Sequence, residues 1–211
     1  MNEALRTELL DLAREAARRA GALLRDGRPA DLGVHATKSS PIDVVTEMDI
    51  AAERLIVDFL SERRPDDTFL AEEGSAAPGA EGTPRRGVRW IVDPLDGTVN
   101  YLYGLPSWAV SIAAEVDGEV VVGVVEAPMR GETFHAVKGG GAWLGERRLS
   151  CRSAPPLDEA LVGTGFSYVA ERRRLQADVV RELITRVRDI RRSGSAALDL
   201  CDVGAGRMDG Y

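Results

Sequence analysis

The chain has 211 residues, 44% hydrophobic and 29% charged, enough to bury a core for one large domain or one and a half ordinary ones. Its 34 acidic and 27 basic side chains leave a formal charge of −7, which argues against a nucleic-acid-binding surface. It has no secretory h-region, no apolar run near the roughly 20 residues of a membrane span, and two cysteines (Cys151, Cys201) that make no disulfide framework; a reduced, cytoplasmic protein is expected, with no membrane partner.

Residues 3 to 25 carry Leu5, Leu9, Leu12, Ala16, Ala20 and Leu23 at helical spacing, and Gly27 and Pro29 stop the helix. Its arginines read as a solvated face. A loop follows through Lys38, one of only two lysines in the chain and a candidate for facing phosphate. Thr46 and Asp49 then have the spacing of a capping box for a second amphipathic helix, which Pro65 closes after about Arg64. Asp49 reads equally as that cap and as a metal-site residue. Thr68–Ala71 is a short strand running into Glu72 and Glu73, and alternation along a strand predicts that only Glu72 faces the site. The Gly-, Pro- and Ala-rich stretch 75–87 reads as a mobile surface loop.

Val88 to Val92 reads as a buried strand that delivers Asp93 at its C-terminal end, where Pro94 forces a turn. Asp96 follows, and Gly97 and Thr98 open a short helical turn. Asp-Pro and Asp-Gly pairs are ordinary turn formers by themselves. Here they follow a buried strand and are joined by Glu72, so the carboxylates can converge on one point. Hard oxygen ligands of this kind suit Mg²⁺, and backbone N–H groups at a helix start suit a phosphate.

Downstream, Trp108–Val116 and Glu119–Glu126 flank Asp117-Gly118 as a hairpin, Gly131–Lys138 adds a strand, and Gly139-Gly140-Gly141 makes a turn. These glycines match neither a phosphate-binding loop nor a dinucleotide fingerprint. Successive hairpins predict an antiparallel sheet with the first two helices on one face. A boundary near Pro155-Pro156 divides residues 1–152, an α+β domain carrying the metal-site motifs, from 153–211, the start of an α/β domain. In that second part the pattern predicts a strand at Ala160–Gly163, a charged helix from about Glu171 to Arg188, a strand at Asp189–Arg192, and a helix opened by Ser193-Gly194-Ser195. Arg172, Arg173 and Arg174 read as a solvated helix face. His35 and His135 stand alone, and no serine or cysteine has a covalent-catalysis signature.

The run from Lys38 to Asp49, the stretch Phe69-Leu70-Ala71-Glu72-Glu73, the motif Trp90 to Asn100 and the turn Ile190 to Ala197 together resemble the inositol monophosphatase family, in order and over essentially the whole chain. The resemblance implies a layered αβαβα sandwich, usually dimeric, that hydrolyses phosphate monoesters with two or three Mg²⁺ ions and is often inhibited by Li⁺. It implies that Glu72, Asp93 and the Leu95 carbonyl hold one ion, Asp93 and Asp96 a second, and that Asp49 is an outer ligand. Thr98 with Glu72 would orient the attacking water, and the N–H groups of Gly97 and Thr98 would hold phosphate oxygens. Asp96 and the turn Gly194-Ser195-Ala196 would meet the alcohol. Two ions about 3.5–4 Å apart suit an in-line displacement at phosphorus.

The chain reads Gly210-Tyr211 at its end, before the family's later Trp-Asp pair, so an incomplete second domain and an incomplete second metal site are expected. The substrate expected is myo-inositol 1-phosphate. Histidinol phosphate, fructose 1,6-bisphosphate and 3′-phosphonucleotides are same-fold alternatives. A non-catalytic binding or dimerisation protein on this fold is the alternative of another class.

Overall fold

The computed structural model describes residues 2–38, 41–74 and 87–211, so the loop expected at 75–87 lies, except for Gly87, outside the described residues. Helix α1 (Glu3–Asp26) starts at Asn2, whose side chain accepts the N–H of Ala4, and buries Leu9, Ala13, Ala16, Ala17, Ala20 and Leu24. These positions repeat at three and four residues and form one apolar stripe. A small hairpin, β1 (Ala36–Thr37) with β2 (Val44–Val45), occupies the predicted loop and carries Lys38 at its turn. Helix α2 (Glu47–Arg63) opens with the predicted capping box of Thr46 and Asp49.

The main sheet has seven strands in the order β3-β4-β5-β6-β7-β8-β9. They are β3 (Thr68–Ala71), β4 (Val88–Asp96), β5 (Ala109–Val116), β6 (Glu119–Ala127), β7 (Glu132–Val137), β8 (Gly141–Leu144) and β9 (Arg147–Arg148), with the short helix α3 (Thr98–Leu102) after β4. The sheet is mixed rather than antiparallel: β3 pairs β4 in parallel, and every other pair is antiparallel. Two strands separated by a long connection escape the hairpin rule that governs the rest. The β5–β6 hairpin turns on Asp117 and Gly118, both at positive φ (53° and 82°), as the sequence pair predicts.

Strand β4 does not stop at Pro94. It continues to Asp96 through a register shift between Asp93 and Asp96, where a proline, having no N–H, interrupts no ladder bond. Along β4, Val88, Trp90 and Val92 are buried under α1 and α2 with Ile112, Val122 and Val124. Alternation therefore turns Asp93 to the opposite face.

That second face is covered by the C-terminal segment. A 3-10 turn (Leu157–Glu159) precedes β10 (Leu161–Gly163), α4 (Ala170–Leu183), β11 (Asp189–Arg191) and α5 (Ala196–Gly204). Strands β10 and β11 form a separate parallel pair. Helix α4 ends at Leu183, earlier than the predicted Arg188, and buries no residue. Helix α5 packs Leu198 against Ala109, Val125 and Ala127, so helices flank the sheet on both faces. The expected layered α+β architecture is the one observed. No helix among the described residues is long and apolar enough to cross a membrane.

Candidate functional site

Four chain segments meet at the C-terminal end of β4: the start of α2, the end of β3, the bulge of β4 and the start of α5. At the start of α2, Asp49 is 1% exposed. Its Oδ2 accepts the Thr46 N–H at 2.8 Å, closing the cap, and its Oδ1 accepts the Thr98 hydroxyl at 2.9 Å. The cap reading of Asp49 is thus observed, together with a direct link to Thr98. Burial pushes its carboxyl pKa up.

The Thr98 hydroxyl also lies 3.0 Å from the Leu95 carbonyl oxygen. Its one proton is committed between Asp49 and Leu95, which leaves its lone pairs to accept from a third group. Gly97 precedes it at φ 96°, and a Cβ there would meet the Ser107 carbonyl oxygen at 2.8 Å. Only glycine fits that turn. Tyr101 holds α3 in place by donating to the Leu24 carbonyl at 2.6 Å.

Beyond Ala71 the chain leaves β3 in a bend, so strand alternation no longer applies. Lys38 Nζ reaches Glu72 Oε1 at 2.6 Å and Glu73 Oε1 at 2.7 Å. Both acids face the same ammonium, which corrects the expectation that Glu73 turns away. Glu53, fully buried on α2, accepts the Glu73 N–H at 2.6 Å and sets the bend. Burial alone would lower the Lys38 pKa, but its bonds to Glu72 and Glu73 outweigh that, and the ammonium is held above its ordinary value. Lys38 is spent on carboxylates here.

Asp93 titrates well above the ordinary carboxylate range because it is buried and because the Glu72 and Asp96 carboxylates stand beside it. The Leu95 N–H, 3.2 Å from Asp93 Oδ1, opposes this weakly. Asp96 is joined to residues about a hundred positions away in the chain: its Oδ2 accepts the Ser195 hydroxyl at 2.6 Å and the Ala197 N–H at 2.7 Å. Burial raises its pKa, and the bonds from Ser195 and Ala197 pull the other way. The Ser195 oxygen also accepts the Leu198 N–H at 3.2 Å, so one hydroxyl caps α5 and holds Asp96.

The turn before Ser195 is fastened by Asn100, whose Nδ2 donates to the Ser107 carbonyl at 2.6 Å and the Ser193 carbonyl at 2.8 Å. Gly194 lies at φ 95°, where a Cβ would fall 2.6 Å from Asn100 Nδ2. Sequence reasoning assigned Asn100 no role. Its position two residues after Thr98 was the available signal. It also left out Ser111, which pairs Asp93 across β5, and the lining of a 680 Å³ cavity beside Asp96. That cavity includes Tyr168, Gln176 and Arg192, and Arg172 reaches its edge from the exposed face of α4 that the sequence predicts.

The donor set fits a hard divalent cation. It is all oxygen: Glu72, Asp93 and Asp96 with the Leu95 carbonyl nearby. Burial first, and then the neighbouring Glu72 and Asp96 charges, raise the Asp93 pKa, and a cation would compensate those charges. Among the described residues no three His, Cys, Asp or Glu side chains form a ready-made ligand cluster. Asp96 and Asp49 are turned to protein donors, while Glu72 and Asp93 remain the close pair.

Residues 5–211 match the sequence profile of the inositol monophosphatase family. An inositol-1-monophosphatase of Mycobacterium leprae is 44% identical over 218 residues, covering 99% of this chain and 75% of that protein. The inositol-1-monophosphatase SuhB of Mycobacterium tuberculosis is 45% identical over 183 residues, 85% of this chain but only 63% of its own length. The Nus factor SuhB of Escherichia coli is 40% identical over 204 residues, 96% of this chain and 75% of that protein. Among solved structures, the extragenic suppressor protein suhB of Bartonella henselae superposes with a TM-score of 0.83 at 34% identity, over 95% of this chain and 76% of that one.

Proposed function

The chain belongs to the inositol monophosphatase family, and from that premise we propose that it is a phosphatase of small phosphorylated polyols, with myo-inositol 1-phosphate as substrate and Mg²⁺ as cofactor. One observation carries the reading: the Glu72, Asp93 and Asp96 carboxylates, the Leu95 carbonyl and the Thr98 hydroxyl share one end of β4, beside a cavity of small-molecule size. In this proposal Glu72, Asp93 and the Leu95 carbonyl hold one ion, Asp93 and Asp96 a second, and Asp49 acts as an outer ligand. Such ions, when bound, supply positive charge to the phosphoryl oxygens and raise the acidity of water.

The chain's own groups do the rest. Thr98, its proton held by Asp49 and Leu95, accepts a hydrogen from the attacking water, and Glu72 orients the same water from the other side. The N–H groups of Gly97 and Thr98 donate to phosphate oxygens, and Lys38 holds Glu72 at the rim, free to turn to phosphate only when a cation takes Glu72. Ser195, Gly194 and Ala196 meet the alcohol, with Asp96 anchored by Ser195 and by the Ala197 N–H.

The proposal includes a homodimer, a cytoplasmic location, inhibition by Li⁺, and residues 153–211 as the start of a second domain. Phosphate release from myo-inositol 1-phosphate, with Mg²⁺ and with the metal chelated, tests it on the 211-residue chain. Release that requires Mg²⁺ is expected. No release from inositol 1-phosphate, histidinol phosphate, fructose 1,6-bisphosphate or a 3′-phosphonucleotide by folded protein would overturn it.

A second reading, a protein-binding role on the same fold, is favoured by the Escherichia coli relative named as a Nus factor. Its mark would be a captured protein partner whose binding survives Asp93→Asn.

A further inference from the structure

The buried face of α2 changes its chemistry along the helix. Its later turns present Ile56, Val57 and Leu60 to the core, while its first two turns present Asp49 and Glu53. These acids are four residues apart, so they lie one above the other on the same side of the helix. Asp49 is 1% exposed and Glu53 is fully buried. A carboxyl so placed is costly unless polar partners meet it. An apolar side chain at position 53 would simply continue the stripe that Ile56 and Leu60 begin.

Each acid reaches a different segment of the site. Asp49 accepts the Thr98 hydroxyl at 2.9 Å, on the turn that follows β4. Glu53 Oε2 accepts the Glu73 N–H at 2.6 Å, at the end of β3. The β3–β4 ladder stops one residue before Glu72, at the pair of Ala71 with Val92, and Asp93 follows Val92 directly. Glu53 therefore anchors the chain where the ladder no longer does. The N–H it holds belongs to the peptide that joins Glu72 to Glu73. A peptide is planar and trans, so pinning its N–H fixes the backbone from which the Glu72 carboxylate departs.

We propose that Glu53 is a positioning residue: through the Glu73 N–H it sets where Glu72 stands relative to Asp93, and with Asp49 one turn earlier it makes the start of α2 a single bracket for Glu72 and Thr98. The inference rests on the phosphatase reading above, in which Glu72 holds an ion, and deepens it. Glu53 touches neither the ion nor the substrate. Groups that orient the side chains around a metal in this way typically govern affinity by about ten- to a hundredfold.

The test compares Glu53→Met, Glu53→Gln and Glu53→Asp in the full 211-residue chain. Methionine fills the space without an acceptor, glutamine keeps a carbonyl that can accept the Glu73 N–H, and aspartate keeps the carboxyl but draws it back by one methylene. Two readouts need no substrate: the Mg²⁺ dissociation constant by calorimetry, and hydrogen exchange of the Glu73 amide by NMR. In Glu53→Met, Mg²⁺ should bind about tenfold more weakly or worse and the Glu73 amide should exchange faster. Glu53→Gln should stay within about twofold of the native chain, because the acceptor remains. If Glu53→Met does not fold, Glu53→Asp decides, with the same loss expected. A folded Met or Asp variant with native Mg²⁺ affinity, or a Gln variant as weak as Met, would overturn the inference, as would a folded native chain that binds no Mg²⁺. A carboxyl that only stabilised the fold would lower the urea midpoint and leave the affinity of the folded protein alone. Mg²⁺-dependent turnover whose metal requirement ignores position 53 would sink this inference and leave the phosphatase reading standing. Mg²⁺ binding that depends on Glu53, with no turnover of any phosphomonoester, would do the reverse.

Discussion

The segments on either side of the main sheet's last strand are built differently. From α1 to β9 the chain buries Leu9, Leu24, Ile56, Leu60, Trp90, Tyr101 and Ile112 in one continuous core, with two helices on one sheet face. From Ala160 onward the buried hydrophobics are Ala160, Val187, Leu198 and Met208, and α4 buries none of its residues. The second region is held to the first largely by polar ties: Asp96 to Ser195 and Ala197, Asn100 to Ser193, Arg130 to Asp202, and Arg207 to Glu132. The carboxylates thus stand on a close-packed support, and the wall that would meet the rest of a substrate is thin and polar. Packed interiors resist displacement, whereas thinly packed segments open at low cost. On the proposed function this would set a chemical centre on the first kind of structure and a specificity wall on the second, which substitutions can probe.

Asp93→Asn should do most to activity. Losing a ligand carboxylate removes charge stabilisation of several kcal/mol, so phosphate release should fall about a thousandfold. The same variant should lose the stabilisation that Mg²⁺ brings, which for the native chain is about 2.7 kcal/mol at a hundredfold excess over Kd. A Tm that rises equally with Mg²⁺ in both proteins would remove Asp93 from the site.

Trp90→Ala tests the packed region: a fully buried indole, bonded through Nε1 to Asp67 at 2.9 Å, is removed. Urea unfolding should show a loss of about 3–5 kcal/mol. In the second region, Gly194→Ala forces a side chain onto φ 95° and against Asn100, costing about 1–3 kcal/mol and lowering activity with it. Leu175→Ala on α4, at a position 69% exposed, should stay within about 0.5 kcal/mol of the native chain. A large loss there would mean that α4 is packed against something in solution.

Smallest is the effect of Glu15 on α1, whose bonds to Arg18 and Arg19 lower its pKa from 4.5 to about 2. A lowered carboxyl pKa stabilises the fold above the unfolded value and loses that contribution as pH falls from 4.5 towards 2. Because the pair is solvent-screened, Glu15→Gln should change stability at pH 7 by only a few tenths of a kcal/mol, about what exposed helix pairs give. The difference should vanish near pH 2, checked by thermal unfolding across that range.

What could be read from residue order was whatever depends on near neighbours. The stripe of α1, the Thr46–Asp49 cap, the Asp117-Gly118 turn and the strand feeding Asp93 are set by periodicity, side-chain caps and backbone preferences acting over a few residues. The acidic motif was legible for the same reason: Asp93, Leu95, Asp96 and Thr98 come from one turn. Tertiary structure alone decided the passage of β4 through Pro94, the shared facing of Glu72 and Glu73 on Lys38, the hold of Ser195 on Asp96, and the meeting of Tyr168 with Arg192 around one cavity. These contacts join residues far apart in the chain, and nothing local specifies them. They form because burying the two faces of one sheet brings α2 and α5 to the same strand end, where their buried polar groups must find partners.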